Sequence, residues 1–108
     1  MNILATLLAL ISLMNPVRKD YDGSSPQLEE WIVATWPVEL VDEVINVAWC
    51  ESRGKPTARN GQYRGILQMG RNEWKKYGRG DIFNPIDNLK AGYRLYLDRG
   101  WQPWECKP

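Results

Sequence analysis

Apolar residues recur at helical spacing along much of this chain, and turn-forming residues separate the runs. Ser25-Pro26 has the form of a helix start, a capping hydroxyl followed by proline at the first helical position. Leu28, Trp31, Ile32 and Thr35 follow at helical intervals until Pro37 ends the run. Pro37 also opens the next helix, in which Leu40, Val41, Val44, Ile45 and Ala48 give a stripe at i, i+1, i+4, i+5, i+8. Val47 and Trp49 are apolar outside that stripe, so the helix becomes apolar nearly all round toward its C-terminal end. The pattern predicts a central, most buried helix that carries Glu51 on its last turn.

Beyond it, residues 53–70 contain Gly54, Gly61, Gly65, Gly70 and Pro56, and read as loop with a small hairpin around Tyr63 to Leu67. Asn72 is the expected cap of a short helix that includes Trp74 and stops at Gly78. Asn84-Pro85 with Asp87 repeats the helix-start signal. Ile86, Leu89, Tyr93 and Tyr96 then fall at i, i+3, i+7, i+10, and Gly100 suits the stop. The expectation is a mainly α domain over residues 26–108, small and helical around one buried helix, with a hairpin or loop beside it.

Ahead of the domain, residues 3–14 form a hydrophobic run that falls short of the ~20 residues needed to span a bilayer. Its length matches the core of an export signal, so residues 1–15 read as a hydrophobic leader. Only the amino terminus supplies positive charge before it and no Ala-x-Ala site follows. An uncleaved anchor, or a helix that touches a membrane or a partner protein, is therefore the second reading. Residues 16–25 are polar and turn-rich and read as a linker.

Composition narrows the chemistry. The 108 residues fit one small domain, a size that benefits from a covalent staple. The two cysteines, Cys50 and Cys106, beside a hydrophobic leader predict one disulfide formed in an oxidising compartment, the alternative being two separate buried thiols. Net charge is +1 with acids and bases interleaved, which points away from nucleic acid. The stretch from Arg53 to Arg71 is locally basic, with Lys55, Arg59 and Arg64 and no acid, as suits an anionic polymer or simply a solvated face. The chain has no histidine, which excludes serine–histidine and cysteine–histidine nucleophiles, and a zinc site is not expected from two cysteines. Proton transfer falls to carboxylates, tyrosines or lysines. Six tryptophans and five tyrosines beside one phenylalanine supply amphipathic rings that serve a core or the stacking walls of a sugar cleft.

Glu51 has the setting of a general acid. The apolar helix end desolvates its carboxyl, and the C-terminal helix dipole also disfavours negative charge there, so both raise its pKa. A carboxyl held partly protonated is what glycosidic cleavage needs. The bland alternative is an ordinary glutamate ending a helix.

The run Cys50-Glu51-Ser52, followed by Asn60-Gly61-Gln62-Tyr63-Arg64-Gly65-Ile66-Leu67-Gln68, resembles the lysozyme-like superfamily. Soluble lytic transglycosylases share the glutamate–serine pair and a Gly-Leu-x-Gln-type segment, matched by Glu51-Ser52 and Gly65-Ile66-Leu67-Gln68. Resuscitation-promoting factors share a cysteine before the glutamate and a partner cysteine in a Trp-rich tail, here Gly100-Trp101 to Cys106. The resemblance covers about residues 38–108. It implies an α+β lysozyme-like fold that cleaves peptidoglycan, with Glu51 as general acid/base. Ser52 and Gln68 would line the site, Asn60 and Tyr63 would contact sugar hydroxyls or N-acetyl groups, and Trp74, Tyr93 and Tyr96 would be stacking walls or core. The later-helix pattern Asn-Ile-x-x-Gly-x-x-Tyr-Leu is met by Asn88-Leu89-Lys90-Ala91-Gly92-Tyr93-Arg94-Leu95-Tyr96-Leu97, with Tyr-Leu one residue late. That leaves open which tyrosine, if either, meets substrate.

No second carboxylate is clearly placed. Asp87 is explained as a helix-start residue, and Asp81 and Glu73 by solvation. This leans toward a transglycosylase, which closes a 1,6-anhydromuramyl end with the sugar's own hydroxyl, over a hydrolase that needs a second carboxylate. The competing reading of another class is a non-catalytic wall-binding or virion module. The expected partners are peptidoglycan glycan strands, with no nucleic acid and no cofactor. The protein is expected to be a monomer, secreted or in the cell envelope, or alternatively carried on a phage particle.

Overall fold

The structure is a computed structural model that describes residues 20–108. The leader at 1–15, and the membrane or protein contact expected through it, lie outside the described residues. Among these, no helix is long and apolar enough to cross a membrane. The fold is mainly helical, with one small two-stranded antiparallel sheet.

Helix α1 spans Pro26–Thr35. The Ser25 side chain accepts from the Leu28 N–H at 3.3 Å, proline occupies the first turn, and Leu28 and Ile32 are buried. Pro37 forces the residue before it into extended backbone, and Trp36 adopts φ −121°, ψ 154° there. The indole then turns inward and donates to the Leu89 carbonyl at 3.0 Å. Packing reaches back into the stretch expected as linker. Tyr21 is buried against the edge of the Trp49 ring, centroids 5.1 Å apart, with its hydroxyl 2.8 Å from the Ser25 carbonyl.

Pro37 opens a 3₁₀ turn, Val38–Leu40, and the α-helix proper, α2, begins only at Val41 and ends at Ser52. Neither start has a side-chain cap, which accounts for the tight first turn that the apolar spacing alone does not foresee. Val44, Ile45, Asn46, Val47, Ala48 and Ser52 are buried, so α2 is the central helix.

The hairpin lies earlier than the spacing suggests. Strand β1, Arg59–Asn60, pairs antiparallel with β2, Tyr63–Arg64, around a two-residue loop whose first residue, Gly61, has φ 61°. Ile66 and Leu67, expected within the hairpin, instead turn inward and are fully buried. Arg64 and Met69 exchange backbone hydrogen bonds at 3.1 and 3.0 Å and close this inner loop. The bridge delivers the chain to Gly70 in extended form. Gly70 rather than Asn72 is the N-terminal boundary of helix α3, Arg71–Tyr77, which stops at Gly78 as expected.

Helix α4, Pro85–Arg99, follows its sequence signals closely. Asn84 accepts from the Asp87 N–H at 3.0 Å, Pro85 fills the first turn and Gly100 ends the helix at φ 61°. It packs on α1 and α3, and its Gly92 lies so close to the inner loop that a Cβ there would be 2.3 Å from Leu67 Cδ1. Trp36, Tyr93, Tyr96, Trp101 and Trp104 form one aromatic cluster between α1, α4 and the tail.

Candidate active site

The last turn of α2 carries Glu51 to a surface where three other segments converge. The first is the tail. Cys50 is joined to Cys106, with Cα atoms 6.0 Å apart, so one disulfide links the end of α2 to the C-terminal segment. Trp104 is buried over the inner loop and donates to the Leu67 carbonyl at 3.0 Å. These anchors bring the Cys106 N–H to Glu51 Oε2 at 3.1 Å.

The second is the inner loop, held by two buried polar side chains. Ser52 Oγ lies 2.6 Å from the Ile66 carbonyl and accepts from the Gly54 N–H at 3.1 Å. Asn88 on α4 accepts from the Leu67 N–H at 2.9 Å and donates to the carbonyls of Arg64 and Ile82 at 3.2 and 2.8 Å. Gly65 is required where these meet. Its φ is +82°, and a Cβ would sit 2.2 Å from Asn88 Nδ2. Gln68 ends the loop at φ 51°, an αL position that costs a residue with a side chain roughly 1–2 kcal/mol. Its amide NH₂ offsets this by donating to the carbonyls of Gly65 and Ala58 at 3.0 and 3.3 Å. The third segment is the hairpin, which contributes Asn60 and Tyr63.

Together they form an open cleft. Glu51, Asn60, Tyr63 and Gln68 line it, with Met69, Leu95, Pro103 and Trp104 as its apolar part and Glu73 and Glu105 as further carboxylates. Burial is the main influence on the Glu51 carboxyl and pushes it above the ordinary glutamate value near 4.5. The Cys106 N–H opposes that rise, and the nearby Glu105 carboxylate adds to it.

Four residues singled out from the sequence, Glu51, Asn60, Tyr63 and Gln68, therefore meet in one cleft. Ser52 does not line it. Its hydroxyl is buried and braces α2 to the inner loop. Trp74 lines a second hollow, with Gln62, Arg64, Arg71 and Ile82. Tyr93 and Tyr96 pack tilted against Trp36 in the aromatic cluster, at 5.1 and 5.5 Å, and do not line the cleft. Asp81 and Asp87 hold the turn before α4, the Asp87 carboxylate accepting from the Asp81 N–H at 3.0 Å. Glu73 lines the open cleft, where Gly70 leaves room for its carboxylate.

No protein-family model, curated protein or solved structure matches this chain.

The sequence pattern leaves Glu105 unnoticed as a site residue and gives Asn88 only as the first residue of the later-helix motif, without a role. Glu105 was within reach, since it adjoins Cys106 and the disulfide brings that neighbourhood to Glu51. Asn88 carries the weaker signal of an amide beside Leu89 on the buried face of α4. Among the described residues no acidic cluster is arranged to hold a metal ion. What the cleft offers is a half-buried carboxyl with a raised affinity for its proton. Beside it are an amide, a phenol and apolar surface suited to a neutral, hydroxyl-rich ligand.

Proposed function

We propose that this protein is a lytic transglycosylase of lysozyme-like fold that cuts the β-1,4 bond between N-acetylmuramic acid and N-acetylglucosamine in peptidoglycan. The observation that carries the reading is the Glu51 carboxyl, raised by burial and facing a cleft shared with Asn60, Tyr63 and Gln68. In this mechanism protonated Glu51 gives its proton to the glycosidic oxygen as the bond to C1 of the muramic acid breaks. The resulting Glu51 carboxylate then takes the proton of that sugar's C6 hydroxyl, whose oxygen attacks C1. The products are a free N-acetylglucosamine end and a 1,6-anhydromuramyl end, and Glu51 is again protonated. Asn60 supplies its amide and Gln68 its amide oxygen to orient the sugar, and the site needs no metal or cofactor. The disulfide accords with work in the cell envelope or outside the cell.

A hydrolase of the same bond is the second reading, and Glu73 is what favours it. A second carboxylate in the cleft gives a water molecule a base, as an inverting glycosidase requires. The two readings share Glu51 and divide at Glu73. Clearing of purified cell walls by Glu51→Gln is expected to fall by at least about 10²-fold, the contribution of a general acid. Glu73→Gln is expected to stay within about tenfold of the parent for the transglycosylase and to fall as far as Glu51→Gln for the hydrolase. Clearing by Glu51→Gln at the parent rate would dismiss both.

A further inference from the structure

The hairpin and the start of α3 form a wall with a hollow on each side. Along this wall the residues alternate. Tyr63, Gly70 and Glu73 line the Glu51 cleft, while Gln62, Arg64, Arg71 and Trp74 line the second hollow, about 280 Å³ in volume. Strand alternation sends Tyr63 to one side and its neighbours to the other. Charge changes sign across the wall, from Glu51 and Glu73 on one face to Arg64 and Arg71 on the other.

Several other cations are occupied, while Lys55, Lys75, Arg79 and Lys90 stand apart from this hollow. Arg53 lies over the Trp49 ring, Arg59 over Phe83, Arg94 donates to the Tyr77 carbonyl and Lys76 pairs with Asp98. The guanidinium groups of Arg64 and Arg71 have no ion pair, hydrogen bond or ring contact among the described residues. Beside them Gln62 accepts the Arg71 N–H at 3.4 Å, which leaves its NH₂ to donate. Trp74 and Ile82 supply the apolar part of the hollow. Two planar fork-shaped donors match a carboxylate, and the indole and isoleucine match the short aliphatic chain that carries it. A polyol phosphate would satisfy the arginines and leave the apolar part facing polar groups.

We infer that this hollow binds a carboxylate-bearing peptide substituent of the same glycan strand whose sugar bond enters the Glu51 cleft. The identity of the strand rests on the proposed function; the carboxylate chemistry rests on Arg64, Arg71, Gln62, Trp74 and Ile82 alone. A wall one hairpin thick then lets a single strand engage both hollows, the sugar on the acidic side and its peptide on the basic side.

The test compares the parent chain with the double variant Arg64→Gln/Arg71→Gln, neither of whose side chains holds the fold together. Cleavage kinetics are measured on strands bearing alanyl-glutamyl peptides and on strands stripped of peptide. The expected KM of the parent is about tenfold lower on the peptide-bearing strands, the effect of one charge-assisted contact, with kcat unchanged. The variant should show one KM, that of the stripped strands, for both. A second arm measures binding of the free peptide, its carboxamide form and a glycerol-phosphate polymer to Glu51→Gln, with and without the arginine substitutions. Only the free carboxylate should bind, and only with the arginines present. Equal KM values for the parent on the two strands, or binding of the carboxamide or the phosphate polymer as tight as that of the carboxylate, would overturn the inference. Peptide binding through the arginines without cleavage of either strand would remove the proposed reaction and leave this site standing. Neither cleavage nor binding would remove both.

Discussion

At the scale of single residues, the protonation of Glu51 is tied to the fold as well as to the proposed chemistry. Its carboxyl is raised above the ordinary glutamate value chiefly by burial, so the folded protein binds that proton more tightly than the unfolded chain does. The associated stability is complete below the unfolded value near 4.5 and is lost as pH rises through the folded one. Glu51→Gln cannot ionise and keeps an oxygen for the Cys106 N–H. It should therefore melt at a higher temperature than the parent at pH 7, with the gap closing as pH approaches 4. A gap that widens toward low pH would mean the carboxylate, not the acid, is the favoured form. Two tryptophans of the aromatic cluster offer a matched contrast. Trp104 donates to Leu67, and Trp104→Phe leaves that carbonyl buried and unpaired, at a cost of about 1–3 kcal/mol in urea unfolding. The Trp101 indole N–H is buried with no partner among the described residues, so Trp101→Phe removes an orphaned donor. Its net cost should stay below about 1 kcal/mol in the same unfolding experiment.

At the scale of elements, the inner loop from Gly65 to Gln68 decides where the site forms. Asn88 satisfies one N–H and two carbonyls around it, and Asn88→Ala leaves the Leu67 N–H and the Ile82 carbonyl unpaired, while the Arg64 carbonyl keeps the Met69 N–H. Each unpaired group costs about 1–3 kcal/mol, so the variant should show a lowered unfolding midpoint in urea and lose cleavage even at temperatures where it stays folded. Gly65→Ala should do the same through steric conflict with Asn88 and the Ile82 carbonyl. This dependence on a distant helix also separates what could be read in the chain from what could not. The starts of α1 and α4 were legible to the residue because Ser25-Pro26 and Asn84-Pro85 carry complete capping signals. The central helix was legible from its apolar stripe. The hairpin was displaced because Ile66 and Leu67 look like strand residues but are drawn inward by Asn88 and Ser52. Such tertiary contacts leave no local pattern. Asn60, Tyr63 and Gln68 were legible as companions of Glu51 from a motif, whereas Trp74, Tyr93 and Ser52 share motif positions or ring chemistry but occupy other places in the fold.

At the scale of the whole molecule, one covalent link binds stability to the site. The Cys50–Cys106 disulfide closes 56 residues of sequence, which in the chain-entropy account contributes about 4 kcal/mol. It also sets the tail against Glu51. Reduction should lower the melting temperature and shift the pH dependence of cleavage, because the Cys106 N–H that restrains Glu51 is no longer held in place. An unchanged pH profile after reduction would show that the tail holds its position without the bond. The cleft also joins elements far apart in the chain, with α2, the hairpin, α3, α4 and the tail each contributing to its walls. Glu51 alone is proposed to serve as acid and then base while the sugar closes on itself. Mass analysis of the fragments released from purified peptidoglycan tests it most directly. The account predicts muramyl ends lacking the elements of one water with the parent protein and no such fragments with Glu51→Gln. Fragments at full hydrated mass, or the same fragments from both proteins, would contradict it.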